Sequence, residues 1–260
     1  MFEYATASVL FGEQPLETAC REIASVGIRH LDLWHVNGWC EHLAGGVAAV
    51  KSTLDRYGIQ LEAISAYRTP YDKVLQLLET LKELGGHALV MGSADPKTPM
   101  DEFAERIAPL VKSASQLGVT LAIENHGHAV IDSIESMVKL VRLFPGSGLG
   151  IALAPIHLHR RGESTAEAIR TLGDRIGLMY MWDWGNSANI NWKDPIEQFL
   201  GSGEIHFQPI FEALVATKFA RPLNIFAHGP EHWPPERTTE HLRKALEAAR
   251  QLEEQARKNV

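Results

Sequence analysis

Four times in the first half of the chain, an amphipathic helical stretch ends on a glycine that is followed at once by a short apolar run. The four are Ala24-Ser-Val-Gly27-Ile-Arg-His-Leu-Asp-Leu, Asp55-Arg-Tyr-Gly58-Ile-Gln-Leu-Glu-Ala-Ile, Lys82-Glu-Leu-Gly85-Gly-His-Ala-Leu-Val-Met and Ser115-Gln-Leu-Gly118-Val-Thr-Leu-Ala-Ile-Glu. Glycine just past a helix takes the left-handed cap conformation without a Cβ clash. The run after it is too short for a helix and suits a strand buried on both faces. The spacing, about thirty residues, is that of one βα unit.

The second half is less regular but continues the count. Strands are predicted at Leu149–Leu153 after the Pro145-Gly-Ser-Gly turn, at Gly177–Trp182 and at Leu223–Ala227; a first strand near Thr6–Leu10 brings the total to eight. Asp132-Ser133 predicts the start of the fifth helix and Thr238-Thr239 that of the last. In that last helix Glu253 with Arg257 and Glu254 with Lys258 stand at i,i+4, the pattern of a solvated, structural face. A doubly wound sheet would place a glycine-rich phosphate turn after the first strand, where Phe11-Gly-Glu-Gln-Pro stands instead. The length of 260 residues matches one complete eight-unit barrel. The expectation is an α/β protein, a single (β/α)8 TIM barrel forming one domain over residues 1–260.

Charge narrows the partners. A net charge of -7 without a basic patch or arm argues against nucleic acid. No apolar run is long enough for a bilayer, and the start Met1-Phe-Glu-Tyr-Ala-Thr-Ala lacks a signal-peptide pattern. Cys20 and Cys40 form neither a metal spacing nor a disulfide framework. A cytoplasmic protein with a small-molecule partner and no membrane partner is expected, and a homo-oligomer is compatible with it.

In such barrels chemistry sits at the C-terminal ends of the strands. Seven of the twelve histidines directly follow a predicted strand end: His35, His126, His128, His157, His159, His228 and His232. His30 and His87 precede strands, His42 and His206 are loop residues, and His241 is on the last helix. Trp34 and Trp182 end strands, while Trp39, Trp184, Trp192 and Trp233 fall in the loops beyond them. An aromatic rim with polar groups between its rings suits a small amphipathic ligand such as a sugar, although the same rings could simply close the barrel top.

Glu124 ends the apolar run Leu121-Ala-Ile-Glu, where a carboxylate needs a metal, a cation or a proton. His126 with His128 and His157 with His159 stand at i,i+2, which on extended chain directs both rings one way. Glu124, His157, Asp183 and His228 come from four consecutive strand ends and form a candidate mixed N/O metal set. Candidate catalytic residues are Glu124, Asp183 and His157. Candidate substrate contacts are Trp34, His35, Tyr67, Arg68, His126 and Trp182.

The chain resembles the xylose isomerase-like barrel superfamily, in particular its sugar-phosphate isomerase and epimerase branch, over nearly its whole length. The resemblance rests on Val26-Gly-Ile-Arg-His-Leu-Asp-Leu, Leu121-Ala-Ile-Glu-Asn-His, Gly150-Ile-Ala-Leu-Ala-Pro-Ile-His-Leu and the glycine loop Leu200-Gly-Ser-Gly-Glu-Ile. It implies a divalent metal, often manganese, held by Glu, Asp, His and Glu from strands five to eight, which polarises a substrate carbonyl while carboxylates move a proton between carbons. Glu124 matches the first ligand. The next three positions read Ala154 (in Ala154-Pro-Ile-His157), Tyr180 (in Tyr180-Met-Trp-Asp183) and Phe226, and none of these suits the ion.

Two principal readings follow. One is an isomerase or epimerase acting on a small sugar, polyol or keto compound by proton transfer next to a carbonyl, with His157, Asp183 and His228 rebuilding a metal site around Glu124; such ligation favours Zn, Ni, Co or Fe alongside Mn. The other is a metal-free descendant that binds a carbohydrate, with or without acid–base chemistry from Glu124. One divalent metal and none are thus equally open. A third reading, a metal-dependent hydrolase or lyase, lacks a His-x-His in Ala7-Ser-Val-Leu-Phe-Gly and has Tyr67 and Ser93 where endonuclease ligands would stand.

Overall fold

The computed structural model describes residues 1–146, 148–185 and 195–260. Its eight barrel strands are β1 (Tyr4–Ala7), β2 (His30–Val36), β3 (Gln60–Ser65), β4 (Ala88–Met91), β5 (Thr120–Glu124), β6 (Leu149–Leu153), β7 (Ile176–Met181) and β8 (Leu223–Ile225). Each pairs in parallel with the next, and β8 pairs back onto β1 through Tyr4↔Leu223, Ala5↔Asn224 and Thr6↔Ile225. The sheet is therefore closed into a (β/α)8 TIM barrel and leaves no edge in the ring. A two-residue segment outside the ring, Cys40–Glu41, pairs antiparallel with the end of β2.

Helices α1 (Leu16–Val26), α2 (Val47–Tyr57), α3 (Tyr71–Glu83), α4 (Met100–Leu117) and α5 (Ile134–Leu143) follow the first five strands. Two helices, α6 (Pro155–Arg161) and α7 (Thr165–Leu172), follow β6; α8 (Gln208–Ala216) follows β7, and α9 (Pro235–Asn259) completes the ring. The four repeat glycines carry φ of 93°, 63°, 76° and 70°, the left-handed geometry that ends each helix and frees the chain to start a strand.

Several boundaries differ from the expectation. The first strand stops at Ala7, where its ladder to β2 ends at Ala7↔Asp32, and Ser8–Phe11 coils into a 3-10 turn. Ser133 does cap α5, accepting from Ser136 N in a reciprocal capping box. The last helix starts earlier than Thr238-Thr239, with Pro235 at its first position, where a missing N–H costs nothing. Its Glu254–Lys258 pair is exposed as expected, but Glu253 is buried and accepts from Phe2 N at 2.6 Å and the Tyr4 hydroxyl at 3.0 Å. The C-terminal helix thus fastens the first strand at the N-terminal mouth of the barrel. Among the described residues, no helix is long and apolar enough to cross a membrane.

What the barrel contributes to the site is a strict alternation. Successive strand side chains point to opposite faces, so residues two apart share the interior. Asp32 and Trp34 on β2, Ser65 and then Tyr67 from β3, Tyr180 and Trp182 from β7, and Asn224, Phe226 and His228 from β8 form inward sets, as their mutual contacts show. The polar members lie one layer beneath the aromatic ones.

Candidate functional site

At the C-terminal ends of the strands lies a cleft with two lobes, of about 560 and 570 Å³, that share Trp39, His126, Trp182 and His228. Tyr67, Arg68 and Glu124 line the first lobe; His157 and Trp184 line the second. Cavities of about 520 and 500 Å³ open at the opposite, N-terminal mouth, beside residues such as His30, His87 and Gly150. None of the candidate site residues lies there, which agrees with the rule that barrels work at the other end.

The floor of the cleft is aromatic. Trp34 stacks on Phe226 with ring centroids 5.4 Å apart and an interplanar angle of 26°, and packs against Tyr67 at 4.9 Å. Trp182 stands edge-on to Phe226 at 4.8 Å and is locked by donation from its Nε1 to Gln198 Oε1 at 3.0 Å. Trp39, 41% exposed, covers His228 at 5.3 Å and provides the rim. Rings held this rigidly present flat apolar faces with little entropy left to lose on binding, which suits the C–H face of a sugar. Trp233 belongs elsewhere, against Phe199 and His241 beneath the stacked Arg237. Trp192 lies outside the described residues.

Glu124, at the tip of β5, is 4% exposed, and burial pushes its carboxyl up from an ordinary 4.5 to about 8. A hydrogen bond with Tyr67 works against this, and the negative charge of Asp32 adds to it. His157 Nε2 lies 4.0 Å from Glu124 Oε1. Burial, with the nearby His126, Arg160 and His228, drives His157 down to about 2, so its imidazole is neutral at physiological pH. Neither of its ring nitrogens has a hydrogen-bond partner among the described residues. A buried donor and a buried acceptor without partners are costly, and a ligand hydroxyl would satisfy them.

The two histidine pairs fare differently. His157 and His159 sit on α6, not on extended chain, so they diverge: His157 packs under His126 at 4.2 Å, whereas His159 faces Glu204 at 3.6 Å near the surface. His126 and His128 both line the first lobe of the cleft, His128 at a left-handed φ of 63° and His126 with Nδ1 2.7 Å from Gly127 O.

Two other expected placements are corrected, and His228 keeps its place in the cleft. Asp183 does not offer its carboxylate to the cleft: Oδ1 accepts from Trp184 N at 2.8 Å and Ile205 N at 3.0 Å, and Oδ2 from Gly201 N and Gly203 N, both at 3.0 Å. It is the anchor around which the glycine loop folds, and a Cβ at Gly203 would collide with Trp184 O. His35 alternates with the inward Trp34 and therefore faces away from the cleft, in register with Glu41. The His228 ring is a member of the aromatic cluster, edge-on to Trp182 at 5.0 Å and to Phe226 at 4.7 Å, and burial lowers it to about 3.

These placements decide how well the residues fit a divalent ion. Ala154 and Phe226 carry no donor, the Tyr180 hydroxyl is engaged with two other hydroxyls, and Asp183 is spent on four backbone N–H groups. Among the described residues, no three or more His, Cys, Asp or Glu side chains converge as a metal site. Neither the inherited nor the displaced ligand set fits the ion.

A polar group that sequence reasoning missed lies under the aromatic floor. Asp32 is fully buried; Oδ2 accepts from Trp34 Nε1 at 3.1 Å and Asn224 Nδ2 at 3.0 Å, and Oδ1 from Ser65 Oγ at 2.8 Å. Burial raises its carboxyl to about 6, held down from higher values by these donors and Tyr180. The available signal was an acid inside an otherwise apolar strand, His30-Leu-Asp-Leu-Trp, two residues from an inward tryptophan.

The raised carboxyls make stability pH-dependent with a definite sign. A carboxyl whose folded pKa is raised contributes stability that is full below its unfolded value of 4.5 and is lost as pH climbs through about 8. His157 and His228 act oppositely but only below their ordinary 6.5. Between about pH 6.5 and 8, wild-type stability should therefore fall, by up to about 1.4 kcal/mol per pH unit from Glu124. Urea unfolding of the wild type and of Glu124→Gln across that window checks this; equal slopes in the two proteins would contradict it.

Comparison with known proteins agrees with the fold. A family model described as a xylose isomerase-like TIM barrel matches residues 20–249. No curated protein sequence matches significantly. Among solved structures, L-ribulose 3-epimerase superposes with a TM-score of 0.78 at 16% identity, covering 100% of this chain and 97% of that one. IolI protein with a bound zinc atom gives 0.76 at 16% identity, covering 94% and 96%. D-allulose 3-epimerase from Methylomonas sp. gives 0.75 at 15%, covering 96% and 98%. At such identities the likeness establishes the fold alone.

Proposed function

Because the chain belongs to the xylose isomerase-like TIM barrel family, we propose that it is a sugar isomerase or epimerase that moves a proton next to the carbonyl of a small ketose, with Glu124 as the acid–base group. The observation that carries this reading is a carboxyl at the mouth of the barrel, raised to about 8, beside a neutral histidine with open nitrogens and under a wall of fixed indoles. An acid–base catalyst works best when its pKa lies near the operating pH, and burial has brought Glu124 there. Solved epimerases of L-ribulose and D-allulose with the same fold suggest ketoses as the substrate class.

In this reading the sugar lies against Trp34 and Trp182, and a hydroxyl of the sugar bonds to His157. The ionised form of Glu124 takes the proton from the carbon beside the carbonyl, and the C–H electron pair enters the enolate. Tyr67, on the same wall, holds the Glu124 carboxyl in place. Return of the proton to the neighbouring carbon, as a hydroxyl proton passes between the two enediol oxygens, completes isomerisation; epimerisation requires that the same carbon receive a proton on its opposite face. Asp183 has no part in the proton transfer; it holds the loop behind Trp184.

The test is deuterium exchange in D2O, followed by proton NMR, with L-ribulose, D-allulose, D-fructose and D-tagatose as probes. At least one should lose its signal at a carbon next to the carbonyl. Trp182→Ala should weaken the response about two- to twelvefold through KM, since a stacked ring contributes about 0.5–1.5 kcal/mol. A panel in which ketoses raise the melting temperature but none exchanges would favour the carbohydrate-binding alternative instead.

A further inference from the structure

The N-terminal mouth of the barrel, opposite the cleft, holds a buried carboxyl that the fold leaves without a partner. Between Leu31↔Leu61 and Asp32↔Ala63 the register of β2 and β3 shifts, so Glu62 is an extra residue with no counterpart on β2. Such a bulge re-aims the side chain it carries. The Glu62 backbone stays tied, its carbonyl accepting from His87 N at 2.8 Å, while its side chain lines a cavity of about 500 Å³. Glu62 is only 7% exposed, and its Oε1 has no hydrogen-bond partner among the described residues. An acceptor sealed from water without a donor is costly, and a ligand that brings the donor removes that cost.

The other charges of this cavity fall into pairs, with one exception. His30 Nε2 lies 3.1 Å from Glu3 Oε2, and Lys51 Nζ lies 3.1 Å from Asp55 Oδ2. The exception is Arg221, an exposed guanidinium on the chain that enters β8, which lines the same cavity and makes no ion pair among the described residues. Burial, with Arg221 nearby, holds His87 down at about 4, so it adds no charge at neutral pH. Glu62 and Arg221 are therefore a lone acid and a lone base that face one cavity without touching. Leu54, Ile59, Leu61 and Leu84 form an apolar wall of the same cavity. Among the described residues, no three His, Cys, Asp or Glu side chains converge here as a metal site. The complement of this lining is an organic zwitterion with an apolar tail.

We propose that this mouth is a binding site for a small aliphatic α-amino acid, with its ammonium on Glu62, its carboxylate on Arg221 and its side chain against Leu54, Ile59, Leu61 and Leu84. One such molecule brings three N–H donors to the buried carboxyl and two acceptor oxygens to the guanidinium fork. Both contacts are charge-assisted, and the tail adds apolar burial. The cavity volume falls within the roughly 300–1,000 Å³ of small-molecule pockets. The site lies at the opposite end of the barrel from Glu124, where side chains ordinarily serve stability alone. Its occupant stabilises the folded chain by mass action and leaves the cleft free. None of this depends on the proton-transfer reading above.

The probe is L-leucine, titrated by calorimetry into the intact protein at neutral pH. Saturable binding with a Kd below about 1 mM is expected. Glu62→Gln and Arg221→Ala should each weaken it about tenfold or more, because each removes a hydrogen-bonded charge. Trp182→Ala should bind L-leucine as the wild type does, which separates this site from the cleft. Three analogues should bind about tenfold or more weakly: 4-methylpentanoate without the ammonium, 3-methylbutylamine without the carboxylate, and glycine without the tail. In Glu62→Gln, L-leucine and 4-methylpentanoate should become nearly equal, since only the partner of the ammonium is gone; a merely structural Glu62 would leave their ratio unchanged. Arg221→Ala, a change at the surface, carries the same comparison with 3-methylbutylamine and decides the matter even where Glu62→Gln does not fold. No saturable binding of L-leucine up to about 10 mM would overturn the site. So would binding unchanged in both variants, binding lost in Trp182→Ala, or any of the three analogues binding as tightly as L-leucine.

Discussion

Glu124→Gln is expected to slow deuterium exchange into a ketose by on the order of 10²–10⁴-fold while leaving the protein folded. The amide matches the carboxyl in shape, keeps one acceptor for Tyr67, and cannot exchange a proton with carbon. The substitution removes a group whose ionisation burial opposes, so the variant should be at least as stable as the wild type, most visibly above pH 8. The combination discriminates between accounts. A structural carboxylate would lose stability on this change, whereas a catalytic one loses rate and gains stability. Exchange within about threefold of wild type would remove Glu124 from the acid–base role.

The second large effect falls on the fold. Asp183→Ala should destabilise the protein by at least about 3 kcal/mol, since hydrogen bonds to a charged group contribute roughly 1.5–3 kcal/mol each and do not add fully. The side chain is buried and accepts from Trp184, Gly201, Gly203 and Ile205, all in the stretch that leaves the barrel after β7. Removing it orphans four backbone donors at once. Asp183→Asn should lose about half as much, because one oxygen still accepts. Urea unfolding near neutral pH measures both. A metal ligand would behave differently, with little cost in metal-free protein. A loss below about 1 kcal/mol for the alanine variant would contradict the anchoring role.

The two residues show how far a sequence of this kind can be read. Helix-glycine-strand punctuation is local, so the barrel and most strand positions were legible from it, as was the Ser133 cap. Position at a strand end was also legible, and it brought Glu124, His157, Trp34, Trp182, Tyr67, Arg68 and His126 to the cleft. Direction at that end was not. Whether Asp183 turns inward depends on the loop at 200–205, which is some twenty residues away in the chain and offers its N–H groups first. His35 follows from the alternation once Trp34 is known to face in, but which of two neighbouring residues faces in cannot be read where both strand faces are buried. His157 and His159 diverge because Pro155 opens a helix there, where extended chain would have kept them parallel. Asp32 escaped notice for a different reason: its partners Ser65, Tyr180 and Asn224 come from three other strands, and only closure of the barrel makes them neighbours.

In the proposed reaction Glu124, set by burial and without a divalent ion, performs the proton transfer. Deuterium exchange into the ketose panel at neutral pH, run in parallel with a strong chelator and with added Mn, Zn, Ni or Co, checks this role. The expected result is incorporation next to the carbonyl at a rate that neither chelation nor any of the four ions changes by more than about twofold, and that is lost in Glu124→Gln. Incorporation that vanishes with chelator and returns with one of the ions, or no incorporation into any ketose, would contradict it.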